Sequence, residues 1–343
     1  MKIKTSLCML IMLFALISVS GSSCQSKKME EKYEWSGTLS APKEYPVEVY
    51  KGSLIGSDFT QNFRNWGTVN PGWGDAAGTV VSGPDHKAIP DSLTITWLSF
   101  VENKFYSGKF VLPKDKMKTL FKEGFINDMG KHETYSDIIV GLAPGGTVAV
   151  WLMAAGKEVE VAKFKAGVTQ IDPESIASDD KYMFRNGYAE AILSDSMVIV
   201  PEVKAKIEAN GYPSPNNYSD LYSKKYNWKP VFQLPEGSKI ENFGFGMYNG
   251  EMDMLHGVSL ANNIFKERAV PKRCSFYWKG NNNEEHGVRV LSFDEKEIIE
   301  AFKNIGIGNI ELLFKAGTDN TVLISLKTDN KTIDIKNAVV KAF

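Results

Sequence analysis

Histidine and cysteine, the side chains that most often bind metals or carry catalysis, are sparse in this sequence and stand far apart. The four histidines are His86, His132, His256 and His286, and no two of them have the spacing of metal ligands. Cys274 is the only cysteine in the body of the chain, and its alternating context RCSFYW indicates a small buried residue. We therefore expect no cofactor, no metal and no enzyme activity, while a hydrolase assembled from scattered residues stays open.

Glu251 and Asp253, in the segment NGEMDM, are two acidic residues separated by one position. Such a pair could bind a cation or exchange protons with a substrate. The alternative, which we favour at this point, is a solvated turn after the preceding residues MYNG.

The segment GLAPGGTVAVWL (141–152) contains the kind of glycine-rich turn that can surround a phosphate group. A nucleotide-binding loop needs a helix after the glycines, and a Walker loop also needs Lys followed by Ser or Thr. Here the following residues, TVAVWLM, are β-branched and alternate, which is typical of a strand. The segment is therefore predicted to be the tight turn of a hairpin.

The segment WGTVNPGWG is the best candidate for a binding surface, because two tryptophans lie close together and each precedes a glycine. Exposed tryptophan rings can stack on sugars or fill pockets of a protein partner. The candidate surface consists of Trp66, Asn70, Trp73 and Asp75, within a loop predicted over 63–78. The alternative is that both rings fold back over a sheet edge and belong to the core.

The first residues have the composition of a signal peptide. Lys2 and Lys4 precede the apolar run LCMLIMLFALISVS (7–20), which is shorter than the roughly 20 residues of a membrane-spanning helix. Cys24 follows the small residues SGSS, much as the acylated cysteine follows the lipobox of bacterial lipoproteins. We expect a lipoprotein signal peptide over 1–23 and lipid attachment, with palmitate among the acyl chains, at Cys24. The chain would then be anchored in the bacterial cell envelope, at the outer membrane, on either its periplasmic or its surface face.

The chain has 343 residues, of which 43% are hydrophobic and 24% charged, an ordinary globular mixture that supports a sizeable core. The net charge of −1 supplies no basic excess to neutralise phosphates, which argues against nucleic acid as a partner. After Cys24 the sequence is polar and charged, and we expect a flexible tether over 24–41.

Two regions with the alternating pattern of strands flank a middle region that is rich in turns and aromatic residues. We expect a first α+β unit over 42–166, a helical and irregular connector over 167–235, and a second α+β unit over 236–343. Both units show the same order of elements, namely strands, one helix and a three-strand meander. This order predicts a mainly antiparallel α+β fold.

The two units also align with each other. Residues 90–122 match 271–303 without a gap, and 147–161 match 321–335, with apolar positions and turns in register although few residues are identical. The sequence therefore predicts an internal duplication, with two tandem units packed together.

Four segments are distinctive, and the first two are the most specific: WLSFVENKFYSGKFVLP, GLAPGGTVAVW, MYNGE and SFDEKEIIEAF. Together they resemble domain-of-unknown-function family 2931, a set of bacterial predicted lipoproteins, over most of the chain from about residue 40 to 343. The resemblance implies a lipoprotein and carries over no catalytic residue.

We therefore expect a membrane-anchored envelope lipoprotein that binds a protein partner without catalysis, as an immunity or assembly factor would. Binding of carbohydrate or another small ligand through the loop 63–78 is the first alternative. A hydrolase whose site is not visible in the sequence is the second.

Overall fold

Alternation of apolar and polar residues produces strands along the whole chain, because successive side chains of a strand point to opposite faces. The computed structural model describes residues 30–63, 66–78, 82–127, 129–317 and 321–343. The strands up to residue 169 are β1 (Lys32–Glu34), β2 (Ser36–Ser40), β3 (Val47–Ile55), β4 (Thr60–Asn62), β5 (Thr68–Val69), β6 (His86–Ala88), β7 (Ser92–Ser99), β8 (Lys104–Val111), β9 (Phe125–Ile126), β10 (His132–Glu133), β11 (Asp137–Ala143), β12 (Thr147–Ala154), β13 (Lys157–Lys165) and β14 (Gly167–Thr169). The later strands are β15 (Lys225–Gln233), β16 (Lys239–Met247), β17 (Met252–His256), β18 (Lys266–Ala269), β19 (Pro271–Lys279), β20 (Glu285–Phe293), β21 (Ile310–Ala316), β22 (Val322–Lys327), β23 (Thr332–Ile335) and β24 (Ala338–Ala342).

Helices occupy a smaller part of the described chain. The α-helices are α1 (Lys114–Glu123), α2 (Tyr188–Ser194), α3 (Pro201–Asn210), α4 (Pro215–Ser219), α5 (Gly257–Ala261) and α6 (Glu295–Ile305). Short 3₁₀ turns cover Pro144–Gly146, Pro173–Ser175, Ser178–Phe184 and Leu221–Ser223. Among the described residues, no helix combines the length and the apolar character needed to cross a bilayer.

Helices α1 and α6 form where apolar residues recur at helical spacing. Met117 and Phe121 are the buried side chains of α1, and α6 buries Ile298 and Phe302 among others. At the start of α6 the side chain of Asp294 accepts a hydrogen bond (2.8 Å) from a backbone N–H of the first turn, which satisfies a donor that the helix leaves unpaired. Each helix therefore turns one apolar face towards a core.

Three larger sheets dominate residues 32–343, which form one compact unit. The nine-stranded sheet has the order β2-β11-β12-β13-β17-β16-β19-β20-β24, and the five-stranded sheet has the order β18-β15-β21-β22-β23. The third sheet has the order β14-β8-β7-β3-β4, with β5 also paired to β3. Neighbours are antiparallel except for β2 with β11 and β15 with β21. The mainly antiparallel α+β class predicted from the sequence is therefore confirmed.

The glycine-rich segment 141–152 is the hairpin that its sequence predicts. Strands β11 and β12 pair antiparallel on either side of the 3₁₀ turn Pro144–Gly146. Gly145 has a φ of 68°, in the left-handed region that favours glycine. The glycines therefore serve the turn, and a strand follows them where a phosphate loop needs a helix.

Strand β12 lies between two large cores, one on each face of the sheet. Ala149 and Trp151 point into the first core, whose members come mostly from residues beyond 218. Val148, Val150 and Leu152 point into the second core, which is built from residues up to 166. Because β12 is buried on both faces, Ala149 and Trp151 lie inside the first core, although most residues of that core come from the later part of the chain.

The predicted tether (24–41) extends too far. Its part outside the described residues ends at residue 29, but β1 and β2 occupy most of 32–40. Trp35 and Leu39 are 1% and 0% exposed, and β2 pairs parallel with β11. The prediction of a tether was wrong because short polar residues surround Trp35 and Leu39. The sequence SGTLS therefore does not show that it forms a buried strand at the edge of the sheet.

The predicted connector (167–235) also extends too far. Residues 167–224 contain β14, helices α2 to α4 and three 3₁₀ turns, as an irregular and helical region should. Residues 225–233, however, form β15, which lies inside the five-stranded sheet and buries Trp228 completely.

Candidate functional site

Trp73, the second tryptophan of the predicted binding loop, is a core residue. It is 6% exposed, and its ring meets Trp151 edge-on, with centroids 4.8 Å apart. Tyr218 covers it from another side at 5.5 Å. Of the two alternatives for this ring, burial over the sheet is the one that the structure supports, and the ring is not free to stack on a sugar.

The other three residues of the predicted surface have separate environments. Trp66 is half-buried and meets Phe63 edge-on at 6.1 Å, against the second core. The Asn70 amide donates a hydrogen bond (2.8 Å) to a backbone carbonyl in the loop before α3. Asp75 forms an ion pair with Arg273, at 3.0 Å. The loop therefore holds parts of the fold together, and the structure does not place its tryptophans on one open surface.

A cavity of about 90 Å³ lies next to Trp73, where the loop meets the nine-stranded sheet. Its walls combine charged, apolar and glycine residues, namely Trp73, Asp75, Ala76, Met153, Glu158, Gly246, Met247, Gly250, Glu251, Met252, Lys272 and Arg273. Such a mixture of apolar walls with a few polar groups is typical of small-ligand sites. We take this charged cavity as the candidate functional site.

The position of the cavity follows from the way β13 and β17 meet. These strands are neighbours in the nine-stranded sheet, yet their ladder has a single residue pair, Glu158 with Met252. Elsewhere in the sheet the strands pair over four or more residues. This short ladder is a seam between the two parts of the sheet, and the charged cavity lies beside it.

Two glycines bring distant parts of the backbone together at the edge of the cavity. Gly74, in the loop, and Gly250, in the turn before β17, have φ values of 88° and 91°. A Cβ atom on Gly74 would lie 2.5 Å from the Cα of Gly250, and a Cβ on Gly250 would lie 2.9 Å from the Trp151 ring. The site therefore requires glycine at both positions, because no side-chain atom fits between the backbones.

Two of the three carboxylates that line the cavity have cationic partners. Besides the pair of Asp75 with Arg273, Glu251 binds Lys225 at 3.2 Å and accepts a hydrogen bond (3.0 Å) from Asn249. Glu251 is 8% exposed, so the solvated-turn interpretation does not describe it.

Glu158 has no such partner. It is 5% exposed, and its Oε1 atom has no hydrogen-bond partner among the described residues. Burial raises the pKa of the Glu158 carboxyl well above its usual range, and the nearby charge of Asp75 raises it further. On another part of the wall, burial lowers the pKa of Lys272. The cavity thus contains an acid and a base whose charged forms are both disfavoured.

A shallow groove of about 260 Å³ adjoins the cavity and shares Gly246, Met252 and Arg273 with it. Gly244 and Gly246 form the floor on β16, where the absence of side chains lowers the sheet surface. Met252 and Met254 stand on one side, with Arg273 on the other. The groove therefore adjoins the charged cavity along β16 and β17.

The histidines and the cysteine are spread over the fold. His132 contacts a backbone carbonyl at the end of α1 (2.8 Å), and the His286 ring stacks on Trp278 at 5.2 Å. Cys274 is free and buried, and its burial raises the pKa of the thiol. In the part of the chain that the structure describes, no three His, Cys, Asp or Glu side chains come together as metal ligands.

The fold and the site together define a mainly antiparallel α+β protein with a charged cavity at a seam within its largest sheet. Residues 22–215 match the family described as "Protein of unknown function (DUF2931)". The chain belongs to this family, as the resemblance indicated. The family match ends before the segments MYNGE and SFDEKEIIEAF. The resemblance seen in the sequence, from about residue 40 to 343, therefore covers a longer part of the chain than the family match does. Searches of curated proteins and of solved structures give no significant match.

Proposed function

We propose that this protein is a lipid-anchored envelope protein that binds an extended segment of a protein partner, without catalysis, along the edge of its nine-stranded sheet. The observation that carries the proposal is the exposed apolar edge formed by β24. Edge strands with exposed apolar side chains are templates for pairing with another chain. In this protein Val339, Val340 and Phe343 are 56%, 37% and 53% exposed, and Leu291 on the neighbouring β20 is 49% exposed.

The backbone of β24 can also accept a further strand. Gly287 and Phe343 exchange both backbone hydrogen bonds, at 2.8 and 2.9 Å. Antiparallel pairs alternate between bonded and non-bonded positions, so Val340, which pairs with Val290, occupies a non-bonded position. Its N–H therefore points away from β20, towards the side on which β24 has no neighbouring strand among the described residues.

Charge around this edge indicates what kind of segment would bind. Lys336, Lys341 and Arg289 are exposed beside the apolar side chains. An extended segment that alternates apolar and acidic residues would bury the first set and neutralise the second. We favour a protein over a carbohydrate because Trp66 and Trp73 do not form a pair of open rings.

Changing Val340 to proline should strongly weaken capture of the partner. Proline lacks the outward N–H and is tolerated at sheet edges, so we expect at least a tenfold loss of binding with little change in Tm. Val339→Glu should act in the same direction, because it places an acidic group where the segment's own acidic residues would lie. The measurement is quantitative capture from envelope extracts, with thermal unfolding of each variant.

The matched control is Val168→Glu on β14, another edge strand with an exposed valine (64%). It should retain full capture. If folded Val340→Pro and Val339→Glu capture as much as the unchanged protein, the edge is not the binding surface. Binding of a glycan, with no reproducible protein partner, would also contradict the proposal.

The anchor in this proposal is Cys24, which lies outside the described residues. Two observations support it: the family match begins at residue 22, just before this cysteine, and β1 begins at Lys32. The few residues between Cys24 and β1 span at most about 25 Å even when fully extended. Acylation at Cys24 would hold the sheets close to the membrane surface.

Replacing Cys24 by alanine should abolish incorporation of labelled palmitate and release the protein from the membrane fraction. A thioether to a diacylglycerol and an acylated amino group both require this residue, whereas the folded body does not. Cys274→Ala serves as the control and should label normally, because that thiol is buried. Label retained by Cys24→Ala would exclude Cys24 as the attachment site.

We further propose that the body arose by duplication of one unit. The strand order β14-β8-β7-β3 has a counterpart in β24-β20-β19-β16, and β2-β11-β12-β13 has one in β15-β21-β22-β23. In the second of these correspondences both sets begin with a parallel pair, β2 with β11 and β15 with β21. A constant shift along the chain carries the pair Asp137–Met153 onto Glu311–Lys327. These correspondences support the two tandem units predicted from the sequence.

A further inference from the structure

The charged cavity contains an acid and a base that each lack a counter-ion. Asp75 and Glu251 have cationic partners, as described above, but Glu158 and Lys272 form no ion pair with any described residue. The two do not neutralise each other either. The charges that act on Glu158 are those of Asp75, Arg273 and Glu251, and those that act on Lys272 include Asp75 and Glu44.

Buried charged groups are ordinarily paired, because an unpaired charge in a low-dielectric site is costly. On the walls of one cavity, the buried Oε1 atom of Glu158 has no donor, and the half-buried Lys272 has no acidic partner. One molecule that carries both an ammonium and a carboxylate group would satisfy both.

We propose that the charged cavity binds a small zwitterion of the α-amino-acid type, with its ammonium group at Glu158 and its carboxylate at Lys272. The apolar part of the ligand would lie against Trp73, Met153 and Met247, which line the same space. No residue of β24 lines the cavity, so binding at the cavity and binding at the β24 edge can be tested separately.

The size of the cavity limits the ligand. One water needs roughly 10–15 Å³ of such space, so a cavity of about 90 Å³ holds on the order of six to nine atoms of that size. Alanine and serine fall within this range, glycine is slightly smaller, and an aromatic amino acid is too large.

The pKa values of the two groups agree with this assignment. Burial raises the pKa of Glu158 and lowers that of Lys272, so it disfavours the charged form of each. A zwitterion would favour both charged forms, because it supplies a partner of opposite charge to each group.

The test is calorimetric titration of the folded protein with glycine, L-alanine and L-serine, beside two analogues that each lack one charge. L-alanine methyl ester keeps the ammonium group, and N-acetyl-L-alanine keeps the carboxylate. We expect at least one zwitterion to bind, and both analogues of alanine to bind at least tenfold more weakly than alanine itself.

Two variants locate the binding. Glu158→Gln and Lys272→Met should each weaken binding of the zwitterion at least tenfold. The matched controls are Glu241→Gln and Lys279→Met, which alter an exposed acid and base on β16 and β19 that lie 4.0 Å apart. Both controls should bind as the unchanged protein does.

Three results would overturn the proposal. The first is that no zwitterion binds to the folded protein, which would make the cavity a hydrated space. The second is equal binding of a singly charged analogue. The third is full affinity in Glu158→Gln and Lys272→Met. If one variant fails to fold, the analogue series and the other variant still decide.

Discussion

Gly74→Ala should lower the free energy of unfolding by about 3–5 kcal/mol, a large share of the roughly 5–15 kcal/mol that stabilises a typical folded protein. Gly74 has a φ of 88°, and an added Cβ would lie 2.5 Å from the Cα of Gly250 and 2.8 Å from its carbonyl oxygen. Both are backbone atoms, which cannot rotate away as a side chain can. The loop would have to leave its place over Trp151, and it would uncover part of the first core.

Urea denaturation of the purified protein measures this effect. Gly67→Ala is the matched control, because Gly67 also has a positive φ (67°) but an added Cβ would meet no atom within 4 Å. It should lose only about 1 kcal/mol, the ordinary cost of a left-handed alanine. Equal losses in the two variants would mean that the contact with Gly250 adds nothing to the strain.

Glu158→Gln should stabilise the protein at neutral pH, by an amount that grows as the pH rises. The pKa of Glu158 is raised in the folded protein, mainly by burial, while an unfolded glutamate titrates at about 4.3. Above that pH the unfolded chain releases the proton and the folded chain keeps it, so the unchanged protein loses about 1.4 kcal/mol per pH unit. This decline continues until the pH reaches the pKa of the folded state.

Glutamine does not titrate, so the free energy of unfolding of Glu158→Gln does not fall with pH for this reason. The difference in the free energy of unfolding between the two proteins should be small near pH 4 and should increase steadily above it. Chemical denaturation at several pH values gives this difference directly. Glu208→Gln, at an exposed position, controls for the substitution itself. Parallel pH profiles for Glu158→Gln and the unchanged protein would show that burial of Glu158 does not lower the free energy of unfolding. Combined with the loss of zwitterion binding, stabilisation would identify Glu158 as a residue whose placement favours binding over stability.

Local patterns in the sequence are sufficient for much of the fold. The hairpin at 141–152 and the helix α1 could be predicted because period-two and helical spacing depend only on neighbouring residues. The α+β class follows from the order of these elements. The boundaries of the tether and the connector could not be predicted, because β2 and β15 are short strands whose burial depends on β11 and β21, far along the chain.

The charged cavity could not be predicted from such local patterns. In KEVEVAKFK, Glu158 and Glu160 occupy positions that alternation assigns to solvent. Glu158 is buried by the loop around Trp73 and by the turn around Gly250, which come from opposite directions in the sequence. The predicted binding loop over 63–78 is the one sequence feature that points to this region. Its glycines and tryptophans indicate close packing, and Trp73 lies in the wall of the cavity and not on an open surface.

The parallel pairs β2–β11 and β15–β21 have a consequence for how the protein acquires its structure. Residue Ser36 pairs next to Asp137, and Trp228 next to Ile310, so each ladder closes a long loop before it gains any hydrogen bonds. Folds with such distant contacts form slowly. A chain that is exported in the way we propose must cross a membrane before it folds, and this contact order delays closure of the sheets until much of the chain has emerged. The two parallel ladders would thus keep the newly made chain competent for translocation.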